Sequence, residues 1–155
     1  MWSVEKAVPA DASEILLVQK EAFRPNQAKY SVPLPPMQET LKELQDDMEQ
    51  AEVLVARESD RVIGAVRFRR RGDAFEVYRL AVNPAYSHLD VGQSLMQAVE
   101  NRVRQSGESQ SVILETGLRD APAIEFYLKM DYRPSELAID QQTGLDVVRF
   151  TKSLG

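Results

Sequence analysis

Apolar residues recur along the chain at two spacings, and the spacing separates predicted helices from predicted strands. One apolar stripe at helical spacing contains Ile15, Val18, Ala22 and Phe23, which predicts a first helix from about residue 11 to Pro25. Four prolines then mark residues 25–36 as a restricted loop. The same periodicity predicts three further helices, over about 37–50, from Gly92 to Gly107 and over 121–130.

Short runs rich in β-branched residues fill the gaps between these helices and predict strands. The predicted strands cover residues 2–8, 53–56, 61–69, 75–82, 111–116, 132–139 and 145–152. The resulting order, β-α-α-β-β-β-α-β-α-β-β, defines a mixed α/β fold. Because a helix joins the strands at 75–82 and 111–116, we expect them to form a parallel pair through a right-handed crossover.

Composition and charge narrow the classes of function. The length of 155 residues predicts a single domain over 1–155. The chain has no cysteine and one histidine, so a thiolate zinc site is excluded and no metal is expected. A net charge of −5 argues against nucleic-acid binding. Since no run reaches the length of a signal peptide's apolar core or of a membrane span, we expect a cytoplasmic protein without a membrane partner.

Two segments carry a recognisable pattern. The first runs from Tyr78 to Tyr86 and continues over Val91–Met96, and the second runs from Ala121 to Tyr132. With the order of elements, they resemble the GNAT N-acetyltransferase family over nearly the whole chain. The resemblance implies the GNAT acyl-CoA N-acyltransferase fold, acetyl-CoA as co-substrate, a primary amine of a small molecule or peptide as acceptor, and a homodimer as one assembly. An unrelated α/β domain remains an alternative.

The first segment predicts an anion site at the start of a helix. A helix N-terminus presents unpaired N–H groups and the positive end of the helix dipole, and a glycine lets phosphate oxygens approach the backbone. The resemblance implies that this site holds the pyrophosphate of CoA. The residues predicted to hold it are Val91, Gly92, Gln93 and Ser94. An ordinary strand-loop-helix turn is the alternative interpretation.

The strand before this helix and the later helix complete the predicted cofactor site. Leu80, Ala81 and Val82 match the family segment whose backbone pairs with the pantetheine arm, and a backbone N–H there is expected to hold the oxyanion. Tyr127 matches a tyrosine near the CoA sulfur and is the predicted general acid, with a packed helix tyrosine as the alternative. Asp120 stands where the family usually has Asn and is predicted to cap its helix beside the cofactor.

The attacking amine needs a base, because an ammonium group has no lone pair. Glu76 matches the catalytic glutamate of histone-type members of the family and is the predicted base, directly or through water. The alternative is a glutamate that faces solvent. Tyr78 lies on the same strand face, and Glu115, at the end of the next strand, is a weaker candidate for the base.

Four positions depart from the family pattern. They are Ser87, Asp90, Asp120 and Asp131. An aspartate at position 90 replaces a loop glycine, so it should be strained if φ is positive and should repel a phosphate. His88 or Arg119 could supply compensating charge. These departures support a second hypothesis, in which the chain is a catalytically weak or inactive GNAT-fold binding or regulatory protein with impaired CoA binding.

Two charged clusters are predicted to be solvated surface. The helix at 37–50 has an acidic face formed by Glu39, Glu43, Asp46, Asp47 and Glu49, which would also suit an amine substrate. The predicted hairpin at 61–82 contains four arginines, namely Arg67, Arg69, Arg70 and Arg71. Both clusters are expected to be exposed.

Overall fold

A seven-stranded sheet runs through the part of the chain that the computed structural model describes, residues 1–107 and 111–155. The strands are β1 (Ser3–Lys6), β2 (Glu52–Glu58), β3 (Arg61–Arg71), β4 (Ala74–Val82), β5 (Ser111–Gly117), β6 (Arg133–Ile139) and β7 (Asp146–Ser153). Their order is β1-β2-β3-β4-β5-β7-β6. The mixed α/β prediction is confirmed, and so is the parallel pairing of β4 with β5.

The helices follow the predicted order with two corrections. They are α1 (Ala12–Gln27), α2 (Pro35–Gln38), α3 (Leu41–Gln50), α4 (Val91–Ser106) and α5 (Ala121–Lys129). The predicted end of the first helix at Pro25 is wrong, because α1 continues through this residue to Gln27. Pro25 is exposed, so solvent can satisfy the carbonyl that loses its donor.

The predicted helix over 37–50 is also wrong as a single element. Glu39 and Thr40 have extended backbones and separate α2 from α3. Thr40 Oγ1 accepts from the Glu43 N–H at 3.1 Å, and the Glu43 carboxylate accepts from the Thr40 N–H at 2.9 Å. This capping box starts α3 afresh. The break leaves Glu39 free to turn its side chain inward.

Apolar side chains cover both faces of the sheet. On one face, α4 and α5 bury a core that includes Leu95, Val99, Phe68 and Phe150. On the other face, α1 and α3 bury a smaller core around Ile15 and Leu44. The sheet therefore lies between two layers of helices, with one apolar core on each of its faces.

The parallel strands β4 and β5 part soon after they meet. Within residues 1–107 and 111–155, their register pairs only Phe75 with Val112 and Glu76 with Ile113. Further along, β4 carries one residue more than β3 between its pairs with Arg67 and Ala65, which is a β-bulge. Arg79 lies in this bulge with a φ of 56°. The divergence of the strands opens a cleft in the middle of the sheet.

No helix within residues 1–107 and 111–155 combines the length and the apolarity needed to cross a membrane.

Candidate active site

The cleft between β4 and β5 has a volume of about 830 Å³, within the range of small-molecule sites. Its walls come from the second half of β4, the end of β5, the first turn of α4, helix α5 and the loop after α1. The predicted cofactor residues Leu80, Ala81, Val82, Gly92, Gln93, Asp120 and Tyr127 all line it. The fold therefore brings most of the predicted cofactor residues to one cavity.

Strand β4 presents an open backbone edge to the cleft. On its β3 side, Ala81 pairs with Ala65 and Val82 with Gly64. On its β5 side, the ladder ends at Glu76. The main-chain groups of Leu80 and the residues beside it are thus placed to pair with an extended ligand as an added strand would.

The first turn of α4 has unpaired amides at the same cleft. The N–H groups of Val91, Gly92 and Gln93 donate to none of the described residues, whereas the Ser94 N–H donates to the Asp90 carbonyl at 2.9 Å. Ser94 therefore has only its hydroxyl to offer an anion. Gly92 packs against α5, where an added Cβ would lie 3.5 Å from the Phe126 ring.

Asp90 is not strained in the way its replacement of a glycine would predict. Its φ of −87° is ordinary for any residue, and it occupies the N-cap position of α4. Its carboxylate is exposed and makes no capping hydrogen bond. The condition for strain at position 90, a positive φ, is therefore not met, while the charge beside the unpaired amides remains. Asp131, in contrast, has a φ of 70°, a conformation that costs energy for a residue with a Cβ.

The other departures and charges near the loop have specific partners. The Ser87 hydroxyl donates to the Pro84 carbonyl at 2.9 Å. His88 lines the cleft. Arg119 lies over the Tyr30 ring at 5.5 Å and donates to the Lys29 carbonyl at 3.3 Å, so its charge is engaged with the loop after α1.

Tyr127 lines the cleft and is held by aromatic packing. Its ring lies 5.1 Å from Phe126, 5.7 Å from Tyr132 and 6.2 Å from Phe150. The hydroxyl has no hydrogen-bond partner among the described residues. Burial, and secondarily the charge of Asp120, raise the pKa of Tyr127, so the phenol holds its proton until a strong base such as a thiolate arises beside it.

Asp120 begins helix α5. Its carboxylate accepts from the Ala123 N–H at 3.2 Å, so the predicted capping role is confirmed.

A network of charged side chains around the buried Arg67 lies beside the cleft. It shows that the predictions of an exposed acidic face at 37–50 and of exposed arginines in the hairpin at 61–82 are each wrong in part. Arg67 is only 1% exposed. Its guanidinium donates to both Glu39 oxygens at 2.9 and 2.6 Å, to Asp47 at 3.1 Å and to Gln19 at 2.6 Å. Arg67 is thus wrongly predicted as exposed, as are Glu39 and Asp47 on the acidic face, whereas Arg69, Arg70 and Arg71 are exposed as predicted.

The network joins α1, the α2–α3 break, α3 and β3. The Arg67 guanidinium and the Gln19 amide hold the pKa of Glu39 at about 2, against the opposing effect of burial. Tyr78 extends the network, since its hydroxyl donates to Asp47 at 2.9 Å, and burial and that carboxylate raise the pKa of Tyr78. The helices on this side are therefore fixed to the sheet by ions as well as by apolar contacts.

Glu76 lies outside the large cleft. It lines a smaller neighbouring hollow, and its carboxylate accepts from Arg71 at 2.8 Å and from Arg69 at 3.3 Å. Glu115 borders both cavities and is paired with Arg149 at 2.7 Å. Of the two glutamates, only Glu115 can approach a ligand in the large cleft directly.

Sequence reasoning missed several residues of this site. The residues that line the cleft but were not predicted as site residues are Arg79, Thr116, Asp140 and Tyr30. Arg79 and Thr116 sit on strands already assigned to the site, so their position was a usable signal. Tyr30 and Asp140 come from loops, and their approach depends on the tertiary fold.

Comparison with known proteins agrees with this geometry. The model of the acetyltransferase (GNAT) family matches residues 16–132. A putative GNAT acetyltransferase from Desulfovibrio desulfuricans superposes with a TM-score of 0.82 at 18% identity over 100% of both chains. PaiA N-acetyltransferase from Thermoplasma acidophilum, solved in complex with coenzyme A, gives 0.81 at 17% identity over 99% of both.

A curated relative is similar in sequence over part of its length. An IAA acetyltransferase of Azospirillum brasilense is 35% identical over 81 residues, which are 51% of this chain and 52% of the relative. The match thus spans about half of the curated relative. Because the family model covers well over half of this chain, the chain belongs to the GNAT acetyltransferase family.

Proposed function

We propose that the protein transfers an acetyl group from acetyl-CoA to a primary amine of a small molecule or peptide, by direct attack in a ternary complex. One observation carries the proposal. The second half of β4, the first turn of α4 and Tyr127 all contribute residues to one cleft. They would supply a backbone to pair with the pantetheine arm, an anion site for the pyrophosphate and a proton donor for the leaving group.

The chemistry follows from these groups. The amine nitrogen attacks the thioester carbonyl carbon, and a β4 backbone N–H holds the oxygen that becomes negative. A C–N bond forms as the C–S bond breaks, and Tyr127 gives its proton to the departing sulfur. The apolar surroundings of Tyr127 keep it protonated until that step, because burial disfavours the phenolate.

The acceptor side of the cleft supplies the base. Glu115 and Asp140 are the two carboxylates that border both cavities, and we propose Glu115, which the sequence already offered as a candidate base, as the group that can take the amine proton directly. Glu76 remains a prediction as the base. Because it lines only the smaller hollow, it would act through water. Glu115→Gln and Glu76→Gln distinguish the two, since only the variant of the true base should lose most of its turnover at saturating acetyl-CoA.

The proposal is tested by binding and turnover measured on the same protein. Calorimetry at physiological salt should detect acetyl-CoA, and an amine library should then release free CoA, measured with a thiol reagent. Binding without turnover of any amine would support the regulatory hypothesis. No heat at millimolar acetyl-CoA would contradict the enzyme.

The compartment and the assembly are proposals as well. We propose a cytoplasmic location, where acetyl-CoA is available, and a homodimer as the assembly. Light scattering at micromolar protein tests the second, and the mass of a single chain would contradict it.

A further inference from the structure

Arg79 has the features of a ligand-binding arginine. It lies in the β4 bulge with a φ of 56°, a conformation that costs a residue with a Cβ energy. Its side chain is 24% exposed. Among the described residues, the Arg79 Nε is buried without a hydrogen-bond partner and forms an ion pair with Glu39 Oε1 at 3.6 Å. This one ion pair is longer than a hydrogen bond, so a ligand with acceptor atoms would stabilise the mostly buried guanidinium.

The neighbouring Arg67 shows why Glu39 does not fill that role. Both Glu39 oxygens accept from Arg67, and Oε1 also accepts from the Gln19 amide at 2.9 Å. Arg67 has further partners in Asp47 and Gln19. Both terminal nitrogens of Arg67 therefore donate to described residues, although its Nε, like that of Arg79, lacks a partner among them. Arg79 has only a distant share of the Glu39 carboxylate.

Other unsatisfied polar atoms lie at the same cleft. Four buried side-chain polar atoms lack a partner within the described ranges, and those of Asn26, Arg79 and Thr116 belong to residues that line the cleft. Buried polar atoms are rarely left unpaired in folded proteins. These three residues place polar side chains along the cleft, which suits a polar ligand.

The charges around Arg79 define what kind of ligand fits. Four residues line both the large cleft and the smaller hollow, namely Tyr78, Arg79, Glu115 and Asp140. The junction of the two cavities is thus lined by one cation and two carboxylates, with a tyrosine that is neutral at physiological pH. Glu115 is partly satisfied by Arg149, and Asp140 accepts from the Thr143 hydroxyl at 2.7 Å.

We propose that the acceptor is a zwitterion of amino-acid type, whose carboxylate binds the Arg79 guanidinium and whose amino group lies toward Glu115 and Asp140. This inference rests on the proposed function and narrows it to one class of amine. An Arg–carboxylate pair is strong and directional, so it would also orient the amine. The fixed distance between the two charges of an amino acid would then select against amines that lack the carboxylate.

The test compares each standard amino acid with its own α-amide at saturating acetyl-CoA. The amide keeps the side chain and the amine but loses the negative charge. The amine of the amide is also less basic than that of the acid, so more of it is unprotonated at neutral pH. A preference for the acid therefore cannot arise from the amine's pKa. For the preferred side chain, we expect kcat/KM for the acid to exceed that for the amide on the order of 100-fold.

Variants assign that preference to Arg79. Arg79→Gln should remove the preference for the acid by lowering kcat/KM for the acid. The kcat/KM for the amide and the affinity for acetyl-CoA should stay nearly unchanged. Arg79→Lys should retain part of the preference. Arg61→Gln, which removes an exposed arginine that lines neither cavity, should behave as the wild type.

The outcomes separate this inference from the proposed function. If amides are acetylated as well as acids, or if Arg79→Gln keeps the preference, the zwitterion assignment is wrong and the acetyltransferase stands. If no amine is acetylated, the proposed function fails. Calorimetry of the amino-acid panel with CoA-saturated protein then decides the binding claim, and no Arg79-dependent heat with any amino acid overturns it.

Discussion

The two sides of the cleft present different kinds of chemical group, main-chain groups on one side and charged side chains on the other. On the α4 side, the groups proposed to meet the cofactor are backbone amides and the edge of β4. On the side where the cleft joins the smaller hollow, the lining groups are charged side chains, and Glu39, Asp47 and Arg67 of the charge network lie in that hollow. Backbone groups exist whatever the residue, so the first side can tolerate Ser87 and Asp90 where the family has other residues. The second side depends on each side chain, and a single substitution should change it.

The largest expected effect is the loss of the network's central cation. Arg67→Ala leaves two partly buried carboxylates without their buried partner, which should lower the free energy of unfolding by about 3–5 kcal/mol. Urea denaturation measures it. Arg69→Ala removes an exposed arginine from the same strand and should change the free energy of unfolding by less than about 1 kcal/mol. Equal losses in the two variants would contradict the contrast between the two sides.

Acid should weaken the same network. The pKa of Glu39 is lowered from 4.5 to about 2 in the folded protein, so the unfolded chain takes up the proton first as pH falls. The stabilisation is complete above pH 4.5 and is lost between about pH 4.5 and 2, by roughly 3 kcal/mol. Urea denaturation across this range should show the loss. Glu39→Gln should flatten the profile, and an unchanged slope in that variant would assign the acid sensitivity to other groups.

On the α4 side, Tyr127 is the side chain expected to matter for chemistry rather than for stability. Tyr127→Phe keeps the ring contacts and removes a hydroxyl without partners among the described residues. We expect kcat to fall by about 100-fold, with acetyl-CoA affinity within about twofold as measured by calorimetry. Full turnover in this variant would exclude the phenol as an essential acid.

The smallest effect should come from changing Asp90, although its replacement of a loop glycine is the departure from the family pattern that looks most damaging in the sequence. Asp90 is exposed with an ordinary φ, so only its charge opposes a phosphate. Asp90→Asn should tighten acetyl-CoA by about 2–5-fold, since like charges about 4–8 Å apart in water repel by about 0.5–1 kcal/mol. Asp60→Asn, in the exposed turn between β2 and β3, is the matched control. Unchanged affinity in Asp90→Asn would refute the repulsion.

The sequence predicts the helices and strands better than it predicts the difference between the two sides of the cleft. Apolar spacing is sufficient for the order of strands and helices, because burial on a sheet or helix face imposes it. The break before α3 was readable from Thr40 and Glu43, which have capping-box spacing. The burial of Arg67 was not readable, since its acidic partners come from another part of the chain. The bulge at Arg79 likewise depends on its pairing with β3.

A crystal structure with bound acetyl-CoA tests the central claim most directly. The claim is that backbone groups of α4 and β4 hold the cofactor although the loop departs from the family pattern. We predict pyrophosphate oxygens within hydrogen-bonding distance of the N–H groups of Val91, Gly92 and Gln93, with the pantetheine arm along β4. A cleft left empty at millimolar ligand, or a pyrophosphate held only by side chains elsewhere, would contradict the account.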